Sequence, residues 1–172
     1  HGAERSIVFE RSEDYIKAVI EHEQLEPGDT LLIVSTFGIS ASAIEAAYKG
    51  KATGASVVAI TSAASSKGIP ANHPDRHHSG KNLYEIEELD AVIDNQVPVT
   101  DAVIKLDGLD VNVSPVSTIL TSFILQALAG CTAEQLLSMG IAPRVWRSRS
   151  LAGGDEYNRK HIDKYSTVIK RL

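Results

Sequence analysis

Hydroxyl side chains follow the first apolar run of the chain, where they could bind an anion. The run 31–34 leads directly into Ser35, Thr36, Gly38 and Ser40. Hydroxyl groups donate hydrogen bonds, a glycine lets the backbone approach a ligand, and a helix beginning here adds free amide groups. Together these groups suit a phosphate. The alternative is that Ser40 only caps the helix and the turn serves the backbone alone.

A second pair of hydroxyl groups begins a later helical segment. Ser117 and Thr118 precede a long apolar stretch, much as residues 35–40 precede the first helix. If both strand–helix corners lie on the same edge of one sheet, their hydroxyl groups converge on one anion. The alternative is again helix capping alone.

Histidines cluster in the polar stretch 62–80. The spacing of His73, His77 and His78 could suit zinc, but a zinc site needs further ligands and a second shell, which the sequence does not show. We therefore expect no metal and no cofactor. A single histidine suits an acid or base better, because its unperturbed pKa is about 6.5. The alternative is an ordinary solvated loop histidine.

The elements that position these groups alternate between strand and helix. The apolar runs 31–34 and 57–60 are typical of buried strands, and Ile44, Ala47 and Tyr48 recur between them at helical spacing. This order predicts a βαβ unit with parallel strands and a right-handed crossover. Ligands in such sheets bind beyond the carboxyl ends of the strands. The first hydroxyl-rich turn lies at such an end.

Further elements are predicted toward both termini. A helix is expected over 12–23, a long loop over 62–80, a short helix over 83–89, and strands over 91–94 and 102–106. A long apolar helix should run from Ser117 to about Met139, buried under a sheet or in a dimer interface. A last helix should begin near Gly153 and reach toward Arg171. Cys131 is expected to pack inertly in the long helix.

Composition limits the function classes. A chain of 172 residues with 43% hydrophobic content predicts a single domain over 1–172. The net charge of −5 argues against a nucleic-acid partner. Arg144, Arg147 and Arg149 are the local exception, and we favour a solvated face over an anion clamp. One cysteine gives no internal disulfide, and no segment is expected to span a membrane, so the predicted location is cytoplasmic.

Several motifs together resemble one family. The corner 35–40 with the strand 57–62 is similar to the sugar isomerase (SIS) domain, whose signature there is Ser-x-Ser-Gly-x-Thr or a close variant. The stretches 76–84, 94–102, 116–118 and 153–158 resemble, in order, a bacterial SIS branch described as phosphoheptose-isomerase-like or phosphosugar-binding. The resemblance covers nearly the whole chain.

The resemblance implies a flavodoxin-like three-layer α/β/α sandwich with a mainly parallel sheet, incomplete at its N-terminus. It implies a phosphorylated sugar as ligand and a homodimer or higher homo-oligomer. The residues that would bind the phosphosugar are Ser35, Thr36, Gly38, Ser40, Ser117, Thr118, Ser79 and Lys81. His77 would be the acid/base of an aldose–ketose isomerase. The alternatives are a phosphosugar-sensing module without catalysis and an oligomerisation module.

The chain also departs from the family pattern. Phe37 stands where the family has the second serine of the corner, and Thr36 and Ser40 stand where it usually has asparagine. The family begins with a helix, a strand, a glycine-rich turn and a glutamate that would precede His1. We therefore expect the chain to correspond to the C-terminal two-thirds of the full SIS domain.

Overall fold

The computed structural model describes residues 2–167 and 169. These residues form two compact units, His1–Leu125 and Gln126–Leu172, and the long helix near the middle of the chain contributes to both. The elements of the first unit are α1 (Ala3–Glu10), α2 (Glu13–Glu23), β1 (Thr30–Val34), α3 (Ala41–Ala52), β2 (Ser56–Thr61), α4 (Ala63–Gly68), a 3-10 turn (Leu83–Glu85), β3 (Ala91–Asp94), β4 (Ala102–Ile104) and β5 (Val113–Pro115). The first part of α5 (Ser117–Ser138) follows them.

A three-stranded parallel sheet organises the first unit. Its order is β1-β2-β3, with Leu31 opposite Val57 and Ile60 opposite Ile93. The βαβ prediction is confirmed, because α3 connects β1 to the adjacent parallel β2. The predicted α/β fold class with a parallel sheet is confirmed as well. The carboxyl ends of β1 and β2 therefore open on the same edge of the sheet.

Small residues bring α3 unusually close to this sheet. Ala43, Ala46 and Ala47 are buried, and a side-chain carbon added at Gly50 would lie 2.7 Å from Leu31. Ile44, which is fully buried, is the large apolar anchor of the helix. Close packing of this kind fixes both the N-terminus of α3 and any side chain that the helix directs out of the core.

The polar stretch after β2 is partly helical, so the predicted long loop 62–80 is wrong at its start. Ser62 caps α4 by accepting a hydrogen bond from the Ser65 amide at 3.1 Å. The Ser62 and Ser65 hydroxyl groups also donate to the Val97 carbonyl, at 2.6 and 2.9 Å. These buried bonds stabilise a short helix that apolar periodicity does not reveal.

The strands β4 and β5 form their own antiparallel ladder, separate from the parallel sheet. Ala102 lies opposite Pro115, and Ile104 opposite Val113. The sequence predicts β4 but not the three-residue β5. As a result, the helix that starts at Ser117 follows a strand of the small ladder and not a strand of the parallel sheet.

Helix α5 has the predicted length, but the structure buries none of its residues. Ile119 and Phe123 are 69% and 71% exposed, and Cys131 is exposed. Burial under a sheet and an inert packing role for Cys131 are therefore wrong within this chain. The dimer-interface alternative stays a prediction. With 22 residues and a mean hydropathy of 1.2, α5 also has the length and composition of a membrane span, although the sequence analysis expects none. One helix of this length and composition is weak evidence for a membrane span.

The second unit holds the end of α5 and helix α6 (Gly154–Tyr165). Gly140, with φ +74°, ends α5, and the Ile141 amide donates to the Leu136 carbonyl at 2.8 Å. This is the Schellman pattern. The last helix begins as predicted and ends at Tyr165, before the expected end near residue 171, which itself lies outside the described residues.

Arg147 and Arg149 of the second unit contact separate partners. Arg149 pairs with Asp155 at 2.7 Å, and the Arg147 guanidinium lies 3.9 Å from the centre of the Tyr157 ring. Buried Asn158 binds the amide and the carbonyl of Arg147 at 2.9 and 2.7 Å. This arrangement favours a structural role over an anion clamp.

Candidate functional site

The first corner, residues 35–40, links β1 to α3. Ser35 continues the strand pairing through its amide, which donates to the Ile60 carbonyl at 3.0 Å. Its hydroxyl oxygen accepts from the Gly38 amide at 3.2 Å, and that of Ser40 caps α3 by accepting from the Ala43 amide at 3.4 Å. The capping alternative is therefore realised. Each hydroxyl group retains its own proton as a donor, so capping and ligand binding are compatible.

Gly38 and Thr36 attach the corner to the end of β2. Gly38 has φ +57°, and a side-chain carbon added there would lie 2.6 Å from the Thr61 hydroxyl oxygen and 3.1 Å from Leu83. The Thr36 carbonyl accepts from the Ser62 amide at 2.9 Å. The glycine is thus required by packing against β2 and by its positive φ, a reason that the sequence alone does not show.

A cleft of about 320 Å³ opens in front of the corner. The side chains that line it are Glu10, Ser35, Phe37, Ile39, Ser40, Ile69, His73 and Asp75. Ser35 and Ser40 are brought together here with His73, as a ligand site at a strand end requires. The cleft also contains two carboxylates, of which Asp75 pairs with Arg11. Phe37 forms part of its apolar wall.

The second corner, where β5 leads into α5 at Val116–Thr118, already contains a carboxylate. Asp101 accepts from the Val116 and Ser117 amides at 3.0 and 2.8 Å and from the Ser117 hydroxyl group at 2.7 Å. The predicted convergence of the two corners required one sheet, and this condition is not met. Ser117 and Thr118 are absent from the lining of the first cleft, and Asp101 occupies the position where a phosphate would bind the helix N-terminus.

His77 is the buried centre of a hydrogen-bonded chain. Its side chain is 1% exposed, with Nε2 2.9 Å from Glu45 Oε1 and Nδ1 2.8 Å from the Ser79 hydroxyl oxygen. The Ser79 amide also donates to Nδ1, at 3.2 Å. An ionised carboxylate has no proton to donate, so Nε2 carries the ring proton and Nδ1 accepts. Glu45, His77 and exposed Ser79 therefore form a chain that leads from α3 to the surface.

Two more residues complete what we call the carboxylate–histidine cluster: Glu13, Glu45, His77 and His78. One ligand atom from each lies within 4.8 Å of all the others. Glu13 Oε1 lies 2.7 Å from His78 Nδ1 and 3.5 Å from His77 Nε2. The hydrogen bond from His78 lowers the pKa of the Glu13 carboxyl below its ordinary value. Helix α2, helix α3 and the loop 73–80, which we call the histidine loop, meet at this point.

The remaining predicted site residues lie around this cluster or apart from it. Ser79 and Lys81 are exposed, and the Lys81 amide donates to the Ser79 hydroxyl oxygen at 3.3 Å. His73 is separate: its Nδ1 accepts from the Asp75 amide at 3.2 Å, and its side chain lines the cleft. The predicted residues thus divide among the first corner, the second corner and the cluster.

Sequence reasoning missed Glu13, Glu45 and Asp101 as members of these sites. One signal was available, because Glu45 is the only carboxylate in α3 and stands between the buried residues Ile44 and Ala46. An acidic side chain on a buried helix needs a partner, and a histidine is a suitable one. Nothing comparable marks Glu13, which begins α2 as an ordinary first-turn acid.

Comparison with known proteins places the chain among its relatives. A model of the SIS domain matches residues 1–62. A UPF0309 protein of Geobacillus thermodenitrificans is 37% identical over 171 residues, which cover 99% of this chain and 66% of that protein. UPF0309 proteins of Thermoanaerobacter pseudethanolicus and Listeria innocua are 36% and 34% identical, with 68% and 67% of their lengths covered. The chain thus spans about two thirds of the length of these relatives. It belongs to the UPF0309 family of SIS-domain proteins.

Proposed function

We propose that this chain binds a phosphorylated sugar in the cleft at the first corner. The observation that carries the proposal is the position of Ser35 and Ser40, which line this cleft where β1 ends and α3 begins. The first amides of a helix lack intrahelical acceptors and bear partial positive charge, and hydroxyl donors beside them suit phosphate oxygens. Membership of the SIS-domain proteins supports the same ligand class.

The other walls of the cleft fit the sugar part of such a ligand. Phe37 and Ile69 offer apolar surface for the C–H groups of a sugar, and Glu10 offers acceptors for its hydroxyl groups. Asp75 is paired with Arg11, which limits its repulsion of a phosphate.

The test is a thermal-shift measurement with hexose, heptose and amino-sugar phosphates. Inorganic phosphate and the unphosphorylated sugars serve as ligand controls. A ligand present at 100 times its dissociation constant adds about 2.7 kcal/mol to the free energy of unfolding. Ser40→Ala should remove most of the shift that the phosphosugar produces, because it removes a hydroxyl donor from the cleft.

Ser12→Ala is the matched control. Ser12 caps α2 as Ser40 caps α3, accepting from the Tyr15 amide at 3.3 Å, but it does not line the cleft. Both variants should lose about 0.5–2 kcal/mol of stability through the lost cap. Only Ser40→Ala should also lose the ligand response. Equal ligand shifts in the two variants, or no shift with any sugar phosphate, would contradict the proposal.

A second candidate function, aldose–ketose isomerisation, is favoured by the chain Glu45–His77–Ser79. Isomerisation moves a proton between neighbouring carbons through an enediol and needs an acid/base. Because His77 is buried, the proton would pass from carbon to the Ser79 oxygen while the Ser79 hydroxyl proton moves to His77 Nδ1. Glu45 would stabilise the resulting imidazolium through the Nε2 proton.

Proton exchange tests this second function directly. Incubation with a sugar phosphate in deuterated water should place deuterium on the exchanging carbon, which NMR detects without a coupled assay. Ser79→Ala should abolish exchange and leave the phosphosugar thermal shift intact. Exchange that persists in both Ser79→Ala and His77→Gln would remove the proposed role, whereas binding without exchange would favour a sensing module.

A further inference from the structure

We propose that the carboxylate–histidine cluster binds a divalent zinc ion. Its ligands are Nε2 of His77, Nδ1 of His78 and one carboxylate oxygen each from Glu13 and Glu45, all within 4.8 Å of one another. Two imidazoles and two carboxylates are a common zinc ligand set, and imidazole nitrogens disfavour magnesium and calcium. The site lies between α2, α3 and the histidine loop, and none of its four ligands lines the phosphosugar cleft.

Three of the distances within the cluster bracket the spacing that zinc requires. Ligand atoms around tetrahedral zinc lie about 3.4 Å apart, because Zn–N and Zn–O bonds are about 2.1 Å long. Glu13 Oε1 lies 3.5 Å from His77 Nε2, and Glu45 Oε1 lies 2.9 Å from the same nitrogen. Glu13 Oε1 and His78 Nδ1 are 2.7 Å apart. The two short contacts to Glu45 and His78 would have to lengthen to complete a tetrahedron.

The adjacent histidines share one face. The backbone turns at this point, because the Gly80 amide donates to the His77 carbonyl at 3.0 Å, and the rings of His77 and His78 lie with their centres 4.0 Å apart and both reach Glu13. Buried His77 and Glu45, which is 13% exposed, form the rigid half of the site. Glu13 and His78 form the accessible half, through which an ion could enter.

Surrounding groups supply the second shell that the sequence did not show. Zinc at His77 Nε2 would move the ring proton to Nδ1, which would donate to the Ser79 hydroxyl oxygen, now 2.8 Å away, in exchange for the bond from the Ser79 amide. Lys17 lies 3.8 and 3.5 Å from the Oε2 atoms of Glu13 and Glu45. It therefore orients both carboxylates while their Oε1 atoms face the histidines.

The test uses the purified chain after treatment with a chelator and its removal. Titration with zinc chloride should show one ion bound per chain in calorimetry and a rise in melting temperature. Cobalt(II), used as a spectroscopic probe, should give the strong visible absorption of a four-coordinate ion. Glu13→Gln and His78→Ala should each weaken zinc binding at least about a hundredfold, since second-shell changes alone cost 10- to 100-fold.

His73→Gln is the matched control, because it removes a loop histidine beside a carboxylate, Asp75, that lies outside the cluster. It should leave zinc affinity unchanged. Glu13 and His78 are partly exposed, so their substitution tests the site without removing its buried half. Ser79→Ala should lower zinc affinity 10- to 100-fold, an effect that a merely structural serine would not produce. The four-coordinate cobalt spectrum should be preserved in this variant.

Failure to bind zinc, or equal weakening by His73→Gln and His78→Ala, would overturn the inference. The outcome is separable from the proposed function, because the phosphosugar shift is measured in the presence of a chelator. It also decides between two uses of His77. A zinc ion on Nε2 displaces the proton shared with Glu45, on which the proton chain through Ser79 depends.

Discussion

Replacing Gly38 by alanine tests how the first corner is built. The added carbon would lie 2.6 Å from the Thr61 hydroxyl oxygen and 3.1 Å from Leu83, both fully buried, so neither can move freely. Overpacking of this kind costs about 1–3 kcal/mol. A non-glycine residue at φ +57° costs about 1–2 kcal/mol more. The expected loss in the free energy of unfolding is therefore about 2–5 kcal/mol.

Gly80→Ala separates the two contributions. Gly80 has a similar φ of +71°, but a side-chain carbon added there would meet nothing within 4 Å. This control should lose only the backbone contribution, about 1–2 kcal/mol. Urea denaturation of both variants, followed by circular dichroism, measures the difference. If Gly38→Ala is no more destabilising than Gly80→Ala, close packing is not the reason for glycine at the corner.

Two further predictions concern acids that attach strand and helix ends. The hydrogen bonds from Lys51 and from the Val57 amide, at 2.7 and 2.6 Å, lower the pKa of the Asp90 carboxyl. The contribution of Asp90 to the stability of the fold is therefore complete above its ordinary value of about 3.8 and is lost as the pH falls through the lowered pKa. Asp90→Asn should reduce the melting temperature at neutral pH, and this difference should shrink below pH 3.8; a constant difference would contradict the assignment. Asp101→Ala should lower the free energy of unfolding by about 1.5–4 kcal/mol, because it removes the cap of α5 and places alanine at φ +56°, whereas Asp101→Asn should lower it less. Equal losses in urea denaturation would count against the capping role.

Apolar periodicity was sufficient to predict the parallel sheet and α3. The strands 31–34 and 57–60 carry short apolar runs, and Ile44 and Ala47 repeat at the helical period, so local pattern and global fold agree. Helix α4 lacks such a pattern and is formed by the Ser62 cap and hydrogen bonds to a distant carbonyl. Tertiary contacts of this kind are not encoded in a local window.

The candidate sites were predictable only in part, for the same reason. His77 and Ser79 are two residues apart, and the sequence predicts both as site residues. Their partners are distant: Glu45 is 32 residues from His77, and Glu13 is 65 residues from His78. At the second corner, the hydroxyl pattern predicted an anion, and the structure supplies one from its own chain, the carboxylate of Asp101.

The two hydroxyl groups that share the Val97 carbonyl also constrain how this sequence can diverge. Ser62 and Ser65 donate to a backbone atom, so the hydrogen bonds do not depend on which side chain occupies position 97. That side chain is fully buried and is limited by its size alone. Related sequences should therefore exchange valine for similar apolar residues freely, while the two serines change only to residues that keep a short donor.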